Sequence, residues 1–149
     1  MKKTDIQRIR LDILSDKKSA LSILMDKDGM LKRQGNGSLP IDETEIIGHV
    51  DAEYFANIVE LVDEDVMPFA NLYDHPNKAG TPLTVSAAFM DTHDGVKRFE
   101  FRLGTETTDI GDLFPFFDRF ISQVVHMTQA WYDQEKARQE SSDSTPCKP

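Results

Sequence analysis

The chain of 149 residues carries 26 Asp and Glu against 17 Lys and Arg, a net charge of −9, with 39% hydrophobic residues. Its length and composition fit one globular domain, and its negative charge argues against direct nucleic-acid binding because phosphates would be repelled. A single cysteine, Cys147, excludes an intrachain disulfide, and no apolar run approaches the roughly 18 residues of a membrane span. We expect a cytoplasmic protein that does not enter a membrane.

The charge is unevenly distributed along the chain. Residues 1–40 hold nine Lys and Arg and five Asp and Glu, a net of +4, whereas residues 41–75 hold ten Asp and Glu and no Lys or Arg. The remaining residues sum to −3. The acidity therefore belongs to one segment, which makes that segment the first candidate for a functional surface.

The N-terminal residues 1–18 fit two patterns. Ile9, Leu11 and Ile13 alternate with charged residues, as in a half-buried strand, whereas Ile6, Ile9 and Ile13 fit one face of a short helix. Of the two, we favour a helix or an irregular arm.

Two stretches have the pattern of a β-hairpin. Residues 20–25 and 30–33 flank a turn in which Gly29 is free to adopt positive φ. Residues 83–90 and 96–103 flank a second turn, and the returning strand alternates aromatic and charged side chains. We expect two hairpins.

A helix is predicted after each hairpin. Residues 40–50 are a connector, and Asp51 is placed to cap a helix with one apolar side: Tyr54, Phe55, Ile58, Leu61 and Val62. Residues 63–65 interrupt it. Asp65 then caps a second short helix with four inward residues: Val66, Phe69, Ala70 and Tyr73.

The longest helix is predicted from Gly111 to about Arg138. Its apolar stripe recurs at steps of three and four: Leu113, Phe116, Phe117, Phe120, Ile121, Val124, Thr128 and Trp131. Residues 139–149 form a polar tail that we expect to be disordered. The prediction is a single α+β domain over residues 1–138, in the order ββαββα, with two hairpins forming an antiparallel sheet and helices on one face.

The acidic segment places like charges on one side of the first helix. The polar stripe has helical spacing: Glu53, Asn57, Glu60 and Glu64. Such pairs destabilise an isolated helix by a few tenths of a kcal/mol each. Two interpretations remain open. The stripe is a solvated face, neutralised in part by the basic N-terminal stretch, or it is a docking surface for a basic partner.

No motif in the chain indicates a reaction. The four histidines, His49, His75, His93 and His126, lack zinc-site spacing, and the residues after Asp26 and Asp28 do not complete a calcium loop. No Ser or Cys nucleophile lies in a recognisable elbow. We therefore predict no catalytic residue, no metal ligand and no cofactor.

The function we predict is that of a small, acidic, non-enzymatic binding protein that engages a basic protein partner. The residues expected to bind that partner lie on the acidic helix face: Glu53, Glu60, Asp63, Glu64 and Asp65. In size and composition the chain is comparable to immunity proteins that neutralise basic toxin domains, an analogy and not a motif match.

The alternative is a small-ligand-binding domain or an enzyme of unknown reaction, with a cleft near Arg33, His49 and Arg102. A third possibility is a homodimer formed through the sheet edge or the last helix. The oligomeric state is accordingly predicted to be monomer or homodimer.

Overall fold

The computed structural model describes residues 2–15, 18–35, 45–70, 83–92, 95–103 and 114–144, and these form an α+β structure. The strands are β1 Arg8–Ser15, β2 Lys18–Asp26, β3 Met30–Gln34, β4 Glu45–His49, β5 Leu83–Met90 and β6 Val96–Leu103. The α-helices are α1 Ala52–Glu60 and α2 Phe114–Ser144, and 3₁₀ turns occupy Lys3–Asp5 and Glu64–Phe69.

The six strands form one antiparallel sheet in the order β4-β3-β2-β1-β5-β6. Strand β1 lies near the middle, where Leu11 pairs with Ile23 of β2 on one side and with Ala87 of β5 on the other. Every strand therefore pairs with a neighbour through an antiparallel ladder, and among the described strands β4 and β6 form the two edges.

One face of the sheet is buried beneath the helices. Alternate side chains of each strand enter the core, as the period of two requires: Ile9, Leu11, Leu21, Ile23, Met25, Leu31, Ile46, Val85, Ala87, Phe89, Phe99 and Phe101. Helix α2 covers β5 and β6 with aromatic rings, with 4.7 Å between the ring centres of Phe99 and Phe117 and 5.6 Å between those of Phe89 and Phe120. Burying each such ring stabilises the fold by about 1.5–3 kcal/mol.

The opposite face of the sheet carries ion pairs between charged side chains, two within a strand and one between β3 and β4. Asp12 accepts from the Arg10 guanidinium at 2.8 Å, and two further ion pairs of 3.4 Å join Lys32 to Glu45 and Arg98 to Glu100. Exposed pairs of this kind contribute little to stability, so the strands are held mainly by the ladders and by the core beneath.

The α+β class and the antiparallel sheet are confirmed, but the predicted order ββαββα is wrong, because four strands precede α1. Residues 8–15 form a strand, not a helix or irregular arm. The strand pattern prevails because β1 pairs on both sides, with β2 and with the distant β5. The predicted connector contains β4, which is only five residues long, includes Gly48 and pairs with β3 alone.

Several element boundaries agree with the predictions. Both strands of the second hairpin match, and α1 begins directly after Asp51. The following short helix is a 3₁₀ turn capped by Asp63, whose carboxylate accepts from the Asp65 amide at 3.0 Å, so the predicted cap at Asp65 is wrong. Phe69 is 55% exposed, contrary to its predicted inward position, and Tyr73 lies outside the described residues.

Helix α2 runs beyond its predicted end at about Arg138 and reaches Ser144, so part of the predicted polar tail is helical. Residues 145–149 of that tail, and Leu113 of the predicted stripe, lie outside the described residues. No helix in the described part of the chain is long and apolar enough to span a membrane.

Candidate functional site

The five residues predicted to bind a partner lie on α1 and the 3₁₀ turn after it, and all five are exposed. We call this set the acidic surface: Glu53, Glu60, Asp63, Glu64 and Asp65. Glu53 and Glu60 are two turns apart on one side of α1, and the other three follow its end. A single groove of about 620 Å³ is lined by the last three of them: Asp63, Glu64 and Asp65.

Lys3 from the N-terminal 3₁₀ turn reaches the acidic surface. Its backbone amide donates to the carboxylate of Glu64 at 2.7 Å, and its ammonium donates to the carbonyl of Glu60 at 3.1 Å and lies 3.9 Å from the Glu60 carboxylate. That carbonyl ends α1, whose last turn holds no basic residue. A cation is favourable there because the helix dipole is negative at the C-terminus.

The basic N-terminal stretch therefore offsets part of the negative charge, as one interpretation of the sequence anticipated, but only around Glu60 and Glu64. Arg119 of α2 lines the same groove as Asp63–Asp65. Glu53, at the other end of α1, forms no ion pair with another described residue. Among the described residues, three cations lie near these five carboxylates, because Lys27 lines a groove with Lys3 and Glu60, so the carboxylates remain in excess.

The structure does not bring Arg33, His49 and Arg102 into one cleft. His49 lies on the edge strand β4 and Arg102 on the opposite edge strand β6. Arg102 is four strands from Arg33, roughly 19 Å at about 4.8 Å per strand. Arg33 also points into the core beneath α2, whereas His49 is exposed.

Arg33 is a buried cation, and its hydrogen bonds to other described residues go to neutral oxygens. It donates to the Val125 carbonyl at 3.0 Å, the Thr128 hydroxyl at 2.7 Å, the Gln129 side-chain oxygen at 2.6 Å and the Gly35 carbonyl at 3.3 Å. Burial lowers the pKa of Arg33. These bonds fix the end of β3 to the middle of α2, an arrangement suited to holding the helix in place.

Tyr132 completes this cluster, and its ring centre lies 5.2 Å from the Arg33 guanidinium carbon. The residue is only 1% exposed, and its hydroxyl has no hydrogen-bond partner among the described residues. The predictions from the sequence do not include Tyr132, and they place Arg33 in a cleft and not in the core. Strand alternation contained the signal for Arg33, because Leu31 in the core requires position 33 to face the same way. Helical spacing contained the signal for Tyr132, four residues after buried Thr128.

Within the ranges that the structure covers, no three His, Cys, Asp or Glu side chains are grouped as metal ligands. Comparison with protein-family models, with curated proteins and with solved structures found no match to this chain.

Proposed function

We propose that this chain is a non-enzymatic binding protein that engages a basic protein partner through the acidic surface. One observation carries the proposal. The described segment 51–65 has no Lys or Arg, and all six of its carboxylates are exposed: Asp51, Glu53, Glu60, Asp63, Glu64 and Asp65. Carboxylates without local counter-charges cost helix stability, and a complementary partner would relieve that repulsion.

The way Lys3 sits on this surface supports the proposal. A single ammonium is accepted there by a helix-terminal carbonyl with a carboxylate close by. A basic partner would find acceptors of the same kind there, in particular the carboxylates of the acidic surface that Lys3 does not contact. The negative field would also speed the encounter and discriminate against acidic proteins. A basic toxin domain neutralised in the cytoplasm is the kind of partner that this chemistry fits.

The test is affinity capture from a lysate of the source organism at low and at high salt, with bound proteins identified by mass spectrometry. A reversed variant carries Glu53→Lys, Glu60→Lys and Glu64→Lys. Its matched control changes the charge equally elsewhere, through reversal to Lys at three acids outside the acidic surface: Glu45, Glu100 and Asp133.

We expect the natural chain and the control to retain the same basic protein at low salt, and the reversed variant to lose it. High salt should release it, because exposed charges are screened beyond about 10 Å at 0.1 M ionic strength. Equal retention by the reversed variant would exclude the acidic surface as the binding site, and equal loss in the control would show that net charge alone matters.

A further inference from the structure

A groove between α1 and α2 combines aromatic walls with carboxylates. We call it the α1–α2 groove; it has a volume of about 550 Å³, and its lining includes His49, Asp51, Glu53, Tyr54, Met127 and Trp131. None of the described residues that line it is a Lys or an Arg. Trp131 and Tyr54 are half-buried and the two carboxylates are exposed, so the groove presents flat apolar surfaces beside a negative rim.

Both aromatic rings are held in place by the fold. A Cβ atom at Gly48 would lie 3.0 Å from Cζ2 of Trp131, so the indole rests directly against the backbone of β4. The Tyr54 hydroxyl donates to the carbonyl of Met127 at 2.9 Å, which ties that ring to α2. The walls are therefore formed before any ligand arrives, which lowers the entropic cost of binding.

The side chains of the two carboxylates make no hydrogen bond with other described residues. Asp51 occupies the N-cap position of α1, yet its side chain makes no capping hydrogen bond. Neither Asp51 nor Glu53 forms an ion pair with another described residue. The helix dipole explains why carboxylates are tolerated at this end of α1, but it does not explain the two aromatic walls beside them.

We infer that the α1–α2 groove takes an arginine side chain of the basic partner, an inference that rests on the proposed function. A guanidinium is planar and stacks on an aromatic ring while its N–H groups donate to carboxylates. Trp131 and Tyr54 would supply the stacking surfaces, and Asp51 and Glu53 the acceptors. Arginine is also among the residues that most often anchor protein interfaces.

The chain's only tryptophan, Trp131, lets intrinsic fluorescence report on this groove directly. The probe is the peptide acetyl-Gly-Arg-Gly-amide, titrated at low salt into the full chain. The control peptide replaces arginine by citrulline, which has the same shape without the charge. We expect a saturable change in Trp131 fluorescence with the arginine peptide and none with the citrulline peptide.

Two variants that each remove one negative charge distinguish binding in the α1–α2 groove from attraction by the overall negative charge of the protein. Glu53→Gln, in the groove, should weaken binding of the arginine peptide by about threefold to tenfold. Glu100→Gln, on the far edge strand β6 and outside the acidic surface, should leave binding within about twofold of the natural chain. Equal response to both peptides, no saturable response, or equal weakening by both variants would overturn the inference.

The failure of this inference can be told from the failure of the proposed function. If the reversed variant loses its partner but the arginine peptide does not perturb Trp131, the acidic surface stands and the groove assignment is wrong. If the peptide binds as expected but the reversed variant keeps its partner, the groove remains a guanidinium site and the acidic surface is wrong.

Discussion

The hydroxyl of Thr128 accepts a hydrogen bond from Arg33 at 2.7 Å and donates one to the carbonyl of Val124 at 2.8 Å. It therefore connects a buried cation on β3 to the backbone of α2. A buried arginine without a contacting carboxylate is costly unless its donors are satisfied, and this hydroxyl is one of the groups that satisfy them.

Replacing Thr128 by valine should therefore destabilise the protein although the two side chains have similar shapes. The variant leaves a donor of Arg33 unpaired in the core, and we expect the free energy of unfolding to fall by about 1–3 kcal/mol. Urea denaturation measures this. The control Thr92→Val, at an exposed turn, should change the stability by less than about 0.5 kcal/mol. Equal stability of the two variants would contradict the role of the buried hydrogen bond.

Replacing Tyr132 by phenylalanine should have the opposite sign. The hydroxyl of Tyr132 is buried and has no hydrogen-bond partner in the part of the chain that the structure describes, and the burial of an unsatisfied polar group costs about 1–3 kcal/mol. We expect Tyr132→Phe to keep or raise the free energy of unfolding, by up to about 1 kcal/mol. A loss of stability greater than about 1 kcal/mol would show that the hydroxyl is hydrogen-bonded in solution.

Because of the Tyr54 phenol, we expect the free energy of unfolding to depend on pH in the alkaline range. Burial raises the pKa of Tyr54 above its ordinary value of 10.0, with an opposing influence from Arg33. The folded state thus holds the phenolic proton more tightly than the unfolded state. Its contribution to stability is fully present below pH 10 and is lost as pH rises through the folded pKa.

We therefore expect Tyr54→Phe to be less stable than the natural chain by about 1 kcal/mol at neutral pH, because the hydrogen bond to Met127 is lost. This difference should shrink above pH 10. Comparing the two chains in urea at several pH values isolates Tyr54 from the other tyrosines. A difference that grew with pH would contradict the assigned direction.

Gly29 should not tolerate a side chain. Its φ of +99° lies in the left-handed region, and a Cβ atom would overlap the carbonyl oxygen of Val50, whose amide donates to the Gly29 carbonyl at 2.7 Å. We expect Gly29→Ala to lower the free energy of unfolding by roughly 1–3 kcal/mol. Asp28→Ala, in the same turn, is the control, and equal losses in both would argue against a specific need for glycine.

The sequence predicts those parts of the fold whose signal is local. The hairpin of β5 and β6 is recognisable because Phe99 and Phe101 alternate with charged residues after a turn. Residues 1–18 fit a helical pattern through Ile6, Ile9 and Ile13 and an extended one through Ile9, Leu11 and Ile13. The choice depends on the pairing of β1 with β5, whose residues lie 68 to 82 positions away in the chain. Long-range pairing of this kind leaves no mark within the segment itself.

In the candidate site too, the sequence predicts the features with a local signal and does not predict those that depend on long-range packing. The acidic surface is visible in the sequence because charge composition is a local property. The α1–α2 groove is not, because Trp131 and Tyr54 meet only through the packing of two distant helices and through the space that Gly48 leaves. The cleft imagined around Arg33, His49 and Arg102 fails for a related reason: strand order decides which residues are neighbours, and two unpredicted strands change that order.

We propose that carboxylates of the acidic surface pair with basic side chains of a protein partner. A charge-swap cycle on the captured partner tests it most directly, with dissociation constants measured for Glu60→Lys, for a Lys→Glu variant of the partner, and for the two variants together. We predict that each single variant binds at least about tenfold more weakly and that the combined pair regains affinity. Losses that simply add, with no recovery in the combined pair at any partner lysine, would contradict the account.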